Sequence, residues 1–246
     1  MTAPFDVIDA YNRLLQEIEP LLFVARDSSL QRAGGEALRA FVDRADQVRL
    51  AAMMERDEEG ANHLLAFRSA ARALAFEMDM YLLLKADKPE EAWNALIQAQ
   101  GELGAAARAH RSFDHLEPKA QNLRELERTL FPPQIFMSAG MIVREQRCSI
   151  CNDSYEKCDH IAGRPYMGRF CSVLLQQVSL DHVAIVDDPA DRLCRVTSFK
   201  VPGGIRNRMT WAVVPDGDAE AKEGSLEAIV ATANAEDAGE EVRPAA

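Results

Sequence analysis

The first half of the chain places apolar residues at the three- and four-residue spacing of amphipathic helices. One stripe covers residues 5–22, with Pro20 inside it, and a second covers 38–52, after the pair Gly34-Gly35. Three more stripes lie at 64–82, 93–103 and 123–130. We expect Pro20 to kink or shorten the first helix and the two glycines to break the chain before the second. Because the polar breaks between stripes are short, the sequence predicts a bundle of neighbouring antiparallel helices.

The pattern changes after Pro133 to short β-rich runs separated by Gly, Pro and Asp. These runs lie at residues 135–143, 171–178, 183–186, 196–201 and 209–214. We interpret Gly203-Gly204 as the hairpin turn between the last two runs. The fold class predicted is therefore α+β: an N-terminal antiparallel helical bundle over 1–131, then a small β-rich module over 134–214 with an inserted structural zinc loop.

The composition of residues 215–246 predicts an acidic tail. Nine acidic residues against two basic ones give this segment −7 of the chain's net charge of −11. Such a composition predicts disorder, apart from a short helix at 225–234. An acidic tail of this kind usually serves solubility.

Composition excludes several classes of protein. An apolar share of 48% is ordinary for a globular chain, and no run reaches the roughly 18 apolar residues of a membrane helix. The N-terminus lacks the basic and apolar regions of a signal peptide. Five cysteines, most of them at metal-like spacing, suit a reducing compartment better than a disulfide framework. We therefore expect a cytoplasmic protein that does not bind membranes.

The chemistry is concentrated in a short segment that contains three thiols and an imidazole: Cys148, Cys151, Cys158 and His160. Zinc prefers four such ligands in a tetrahedron, and a Cys-x-x-Cys turn directs two sulfurs at one ion. The segment from Cys158 to His160 supplies the second half of the site. Since three thiolates and one imidazole leave no open position for water, we predict a structural Zn²⁺ bound by these four residues.

Two alternatives remain open at this site. Cys171 is a fifth donor for four positions, at the start of a β-rich run, and could replace His160. A redox role for Cys148 and Cys151 is the competing chemistry. We expect Tyr166 to cover the site. The histidines at 63, 110 and 115 have no Cys or His neighbour at ligand spacing, which predicts surface or helix-end positions.

Basic residues flank the metal segment: Arg144, Arg147, Lys157, Arg164 and Arg169. Four acidic residues in the same stretch nearly balance them, so they permit nucleic-acid binding without favouring it. The acidic net charge argues against electrostatic binding of nucleic acid by the protein as a whole. The chain also lacks a glycine loop of the kind that binds nucleotide phosphates.

Residues 183–190, Val-Ala-Ile-Val-Asp-Asp-Pro-Ala, resemble the strand-and-turn segment of the phage prohead (capsid maturation) protease superfamily. The resemblance implies a phage-related protein with a serine nucleophile at the second position of the strand. Here that position is Ala184, and acyl transfer has no first step without a nucleophile. Ser179, His182 and Asp188 could form an alternative catalytic set. The competing interpretation is structural: a buried strand followed by an Asp-Asp-Pro turn.

The sequence favours a non-enzymatic function. We predict a zinc-binding adaptor or scaffold that binds another protein, in a phage-derived or mobile-element system. Two other hypotheses remain: a diverged peptidase similar to the prohead proteases, and a zinc-dependent regulator that binds nucleic acid.

Overall fold

The computed structural model describes residues 6–215 and 224–230. Helices occupy the first half of the chain and antiparallel strands the second, which confirms the predicted α+β class. The helices are α1 (Val7–Ile18), α2 (Ser28–Met54), α3 (Glu58–Lys85), α4 (Pro89–Ala109) and α5 (Glu117–Leu130). Single 3₁₀ turns lie at Glu19–Leu21, Arg111–Leu116 and Tyr155–Lys157.

The strands form three separate sheets. They are β1 (Phe136–Cys148), β2 (Pro165–Tyr166), β3 (Arg169–Phe170), β4 (Val173–Val186), β5 (Val196–Val201), β6 (Gly204–Asn207), β7 (Val213–Val214) and β8 (Leu226–Ala228). β1 and β4 form a two-stranded ribbon, β2 and β3 form a short hairpin, and the remaining strands form a sheet in the order β7-β6-β5-β8.

The chain divides into two compact units. The first, here called the helical unit, comprises Met1–Phe131 and Val143–Val178. The second, the sheet unit, comprises Pro132–Ile142 and Ser179–Ala246. The predicted metal segment thus belongs to the same unit as the helices, whereas the sequence pattern placed it within the β-rich module.

Aspartate side chains begin the first three helices. Asp6 accepts from the N–H groups of Ile8 and Asp9, and Asp27 accepts from those of Ser29 and Leu30. Asp57 caps α3 through the N–H of Gly60, at 2.9 Å. Each carboxylate satisfies donors that the first helical turn leaves without a partner. α1 ends at Ile18, just before Pro20, as its sequence predicts.

An aromatic cluster forms the centre of the helical unit. Tyr11 of α1 packs against Phe41 of α2 and Phe67 of α3, with ring centroids 5.6 and 5.2 Å apart. Phe67 in turn meets Phe113 edge-on at 4.9 Å. Burial raises the pKa of Tyr11 to about 12, with a further contribution from Glu19. α3 lies between α2 and α4 and supplies much of this core.

The expected helix break at Gly34-Gly35 is wrong, because α2 runs through both glycines. A Cβ on Gly34 would lie 2.9 Å from Cδ1 of Ile18 and 3.4 Å from Cε of Met78. Glycine at this position lets α2 approach α1 and α3 closely. Close packing therefore outweighs the roughly 1 kcal/mol helix penalty of a glycine.

The strand predictions need three corrections. β1 continues past residue 143 and ends at Cys148, so it delivers a candidate metal ligand. The runs at 171–178 and 183–186 form one strand, β4, with a left-handed residue at Gln177 (φ 52°). The turn at Gly203 joins β5 to β6 rather than to residues 209–214, of which only Val213–Val214 form a strand.

The helix predicted at 225–234 is also wrong where the structure describes it. Leu226–Ala228 form β8, which pairs antiparallel with β5 in the register Phe199↔Leu226. Residues 216–223 and 231–246, which hold most of the acidic tail, lie outside the described residues. Among the described helices, none is both long enough and apolar enough to cross a membrane.

A buried ion pair joins α3 to α5. Glu77 is only 2% exposed, and its Oε2 lies 2.6 Å from Nζ of Lys119. Tyr81 donates its hydroxyl to Glu77 Oε1 at 3.3 Å. Burial raises the pKa of Glu77, and Lys119 opposes that rise. Removal of the ammonium would leave a buried carboxylate without its charge partner.

We predict that Lys119→Met destabilises the helical unit by about 3–5 kcal/mol at pH 8. Because the pKa of Glu77 is raised in the folded state, folding favours its protonated form, and the cost should shrink as the pH falls toward the ordinary carboxyl range. Urea denaturation followed by far-UV circular dichroism measures the free energy of unfolding at pH 8 and at pH 5. With Glu77→Gln as the background, the loss of unfolding free energy caused by Lys119→Met should be the same at both pH values. A Lys119→Met cost that is equal at both pH values contradicts this account.

Candidate metal centre

A tight turn after β1 presents the first two thiols. Asn152 donates its N–H to Cys148 O at 2.9 Å and adopts a left-handed conformation (φ 60°). The N–H of Ile150 lies 3.4 Å from Cys148 Sγ, a contact that stabilises a thiolate. Cys148 is fully buried, whereas Cys151 is exposed at the outer side of the turn. The turn therefore directs both sulfurs to one point.

Two tyrosine hydroxyls shape the second half of the site. The N–H of Ile161 donates to Tyr166 Oη at 2.9 Å, and that of Ala162 donates to Tyr155 Oη at 3.0 Å. These bonds hold the backbone that follows His160. The ring of Tyr166 meets the imidazole edge-on, with centroids 4.6 Å apart, so Tyr166 packs against the site as its sequence position suggested.

The structure brings the four sequence-predicted ligands together. The sulfurs of Cys148, Cys151 and Cys158 and a ring nitrogen of His160 lie within 4.8 Å of one another. Among the described residues, no hydrogen-bond partner reaches the buried Nδ1 of His160. Three thiols and one imidazole around one point form a donor set that fits Zn²⁺.

Cys171 lies beside this cluster. Its Sγ is 3.7 Å from Sγ of Cys148, and only 2% of the residue is exposed. Ser172, the next residue, donates its N–H to Ser149 Oγ at 2.8 Å, and Ser149 donates its own N–H to Ser172 O. The base of the β1/β4 ribbon therefore holds Cys148 and Cys171 side by side.

The thiol pKa values follow from this crowding. Burial acts to raise the pKa of Cys148, but the N–H groups of Cys151 and Ile150 outweigh it and lower that pKa to about 6. Burial, followed by the adjacent Cys148, raises the pKa of Cys171 to about 11. One thiolate therefore forms readily near neutral pH, whereas burial beside it disfavours a second.

The β2/β3 hairpin, at the far end of the metal loop, contacts the helices of the same unit. Gly168 donates its N–H to Asn62 Oδ1 of α3 at 2.7 Å, and its carbonyl accepts from Arg49 of α2 at 2.8 Å. The guanidinium of Arg108 lies over the ring of Phe170, 5.6 Å from its centroid. The metal loop is thus attached to α2, α3 and α4.

The helical unit contains a histidine cluster that the sequence pattern does not predict. His63 and His110 stack with centroids 4.2 Å apart, and both approach Ser112 Oγ, at 3.1 and 2.8 Å. His110 also accepts the N–H of Ser112 as the cap of the 3₁₀ turn. Burial, then the neighbouring His110, lowers the pKa of His63. The prediction of helix-end positions holds for His110, but the pairing arises from tertiary packing.

An open cavity of about 530 Å³ borders this cluster. Its lining includes Arg108, His110 and Arg111 together with Glu58, Glu59 and Asn62. Charges of both signs therefore face it. Asn62 also binds the tip of the β2/β3 hairpin, so the cavity adjoins the surface to which the metal loop is attached.

The protease-like segment does not assemble a catalytic set. Ala184 lies near the end of β4, and the imidazole of His182 pairs with Asp181 at 3.0 Å rather than with Asp188. Ser179 and His182 are three residues apart on one strand, so their side chains lie on opposite faces. The ring of His182 fills the space beside Gly140 that a Cβ would occupy.

Three of the four arginines near the metal loop are exposed: Arg144, Arg164 and Arg169. The fourth, Arg147, pairs with Glu145 at 2.7 Å and donates to Asn152 O at 3.0 Å. Arg147 therefore stabilises the turn that carries the first two thiols, and its charge is partly neutralised.

No family model, curated protein or solved structure matches this chain.

We predict that Gly168→Ala loosens the metal loop from the helices. Gly168 has φ +72°, and an added Cβ would lie 3.1 Å from Cβ of Ala61 and 3.3 Å from its carbonyl oxygen. Overpacking of about 1–3 kcal/mol corresponds to roughly five- to 150-fold faster amide exchange at residues 166–170. Hydrogen-exchange mass spectrometry measures this change.

Gly163→Ala is the matched control, because Gly163 has φ +80° but no atom within 4 Å of an added Cβ. It carries the same backbone strain without the contact. Equal exchange rates at 166–170 in the two variants would show that the contact with Ala61 does not hold the hairpin.

Proposed function

We propose that the protein is a non-catalytic adaptor whose metal loop is folded by a structural zinc ion. The observation that carries the zinc centre is the cluster of three thiols and one imidazole nitrogen within 4.8 Å. Cys148, Cys151 and Cys158 supply thiolates, and His160 is the fourth donor predicted from the sequence. Zinc supplies positive charge and tetrahedral geometry there, with no position left for a substrate.

The number of donors supports a structural rather than a redox centre. Cys158 and His160 lie beside the Cys-x-x-Cys turn and complete a set of four metal donors, which a redox pair of thiols does not need. Structural zinc contributes about 10–16 kcal/mol of apparent binding free energy to folding. That is enough to order a loop with few apolar contacts and to hold its hairpin against α2, α3 and α4.

An exposed apolar strand supports a protein partner. In the sheet unit, Leu180 and Ile185 of β4 are 63% and 62% exposed, and they lie on opposite faces of the strand. Ile142 of β1 is 54% exposed. A two-stranded ribbon is marginally stable in water. A partner that packs against both faces of the ribbon would bury these side chains. We therefore assign these side chains, here called the apolar ribbon, to contact with a second protein.

Two further observations support a cytoplasmic location and a phage-derived origin. All five cysteines are free, which suits a reducing cytoplasm. The resemblance of residues 183–190 to the prohead proteases supports a phage-derived origin, with Ala184 in place of the nucleophile.

We expect one zinc per chain in protein purified without added metal, measured by mass spectrometry. The double variant Cys148→Ser/Cys151→Ser should lose most of this zinc, because it leaves fewer than four thiol and imidazole donors near the ion. Cys194→Ser should retain it, since Cys194 Sγ contacts Asp191 elsewhere, at 3.7 Å. Chelation should expose the metal loop to protease while the helical circular-dichroism signal persists. A wild-type protein without metal overturns the zinc centre.

We expect Leu180→Asn/Ile185→Asn to reduce recovery of a protein partner at least about tenfold, since each lost apolar contact costs roughly 1–2 kcal/mol. Quantitative cross-linking of tagged protein in cells that express it measures the recovery. Met54→Asn is the control, because Met54 is an exposed apolar residue of α2. Peptide turnover abolished by Ser179→Ala or His182→Ala would instead establish an enzyme.

A further inference from the structure

The metal loop and its flanking strand carry five donors for an ion that takes four. We propose that Cys171 is a metal ligand and occupies the fourth position in place of His160. This inference rests on the proposed zinc centre and changes only the identity of one ligand.

The spacing of the sulfurs supports Cys171. A Zn–S bond of about 2.3 Å places two sulfurs of a tetrahedron about 3.8 Å apart. Sγ of Cys171 lies 3.7 Å from Sγ of Cys148, which matches that separation. Cys148 itself lies within 4.8 Å of the other donor atoms of the cluster, so Cys171 adjoins the same group of thiols. The pair formed by Cys148 and Cys171 therefore needs no rearrangement to bind one ion.

The backbone also fixes Cys171 more firmly than His160. Cys171 donates its N–H to Arg164 O at 2.9 Å, and its carbonyl accepts from the N–H of Gly163 at 2.8 Å. Together with the bonds between Ser149 and Ser172, these contacts hold Cys171 on both sides. His160 lies in an irregular stretch where, within the described residues, its own N–H makes no bond to another backbone group. A preorganised donor binds with less loss of conformational entropy.

His160 then becomes a reserve donor. Its Nδ1 is buried and lacks a hydrogen-bond partner among the described residues, and the ring is held edge-on by Tyr166. If Cys171 is lost, the imidazole can take the vacated position. Both donors must then be removed before the metal is released.

Cobalt(II) substitution tests the assignment, because the thiolate-to-cobalt charge-transfer absorbance grows with the number of bound thiolates. Wild type and His160→Ala should show equal absorbance. Cys171→Ser should lose about a quarter of it, as four thiolates become three. The double variant His160→Ala/Cys171→Ser should bind cobalt far more weakly than either single variant. Cys194→Ser is the matched control for removal of a buried cysteine and should leave the spectrum unchanged.

The opposite pattern, in which His160→Ala alters the spectrum and Cys171→Ser does not, overturns the proposal and leaves the zinc centre in place. X-ray absorption of wild-type zinc protein provides a second measurement that needs no variant. Four sulfurs at about 2.3 Å support the assignment, whereas three sulfurs and one nitrogen contradict it. A wild type that binds neither metal refutes the proposed function itself.

Discussion

The packing of thiols at the base of the β1/β4 ribbon is the constraint on which the rest of the metal loop depends. Cys148 and Cys171 are almost fully buried and their sulfurs are in contact. Backbone N–H groups favour the anionic form of Cys148, but two adjacent buried thiolates repel each other. A bound cation removes this conflict, and the loop between the two strands can then fold around it.

The metal loop extends this local constraint to the helices. Residues between β1 and β4 leave the ribbon, fold back at the β2/β3 hairpin and contact α2 and α3 through Gly168. Few apolar side chains support this segment, whereas the helices have their own aromatic core around Tyr11 and Phe67. Hydrophobic packing therefore stabilises the helices, whereas polar contacts and the proposed metal ion would stabilise the loop.

Short-range patterns in the sequence predicted the helix stripes, the end of α1 at Pro20 and the cluster of Cys148 with Cys151, Cys158 and His160. Features that depend on distant partners were not predictable. Arg49 and Asn62 bind Gly168 across 119 and 106 residues of chain. Gly34 lies inside a helix because close packing against Ile18 outweighs its intrinsic propensity. β8 pairs with the distant strand β5, although a short helix was predicted for its segment.

The contact of the β2/β3 hairpin with α2 and α3 provides a route by which metal binding and a partner of the helices would be coupled. If a bound ion orders the loop that contacts Arg49 and Asn62, then a partner that binds α2 and α3 more tightly when the loop is ordered must raise the affinity for the ion. The ion must raise the affinity for that partner by the same factor. Such a partner would strengthen zinc binding without contacting a ligand.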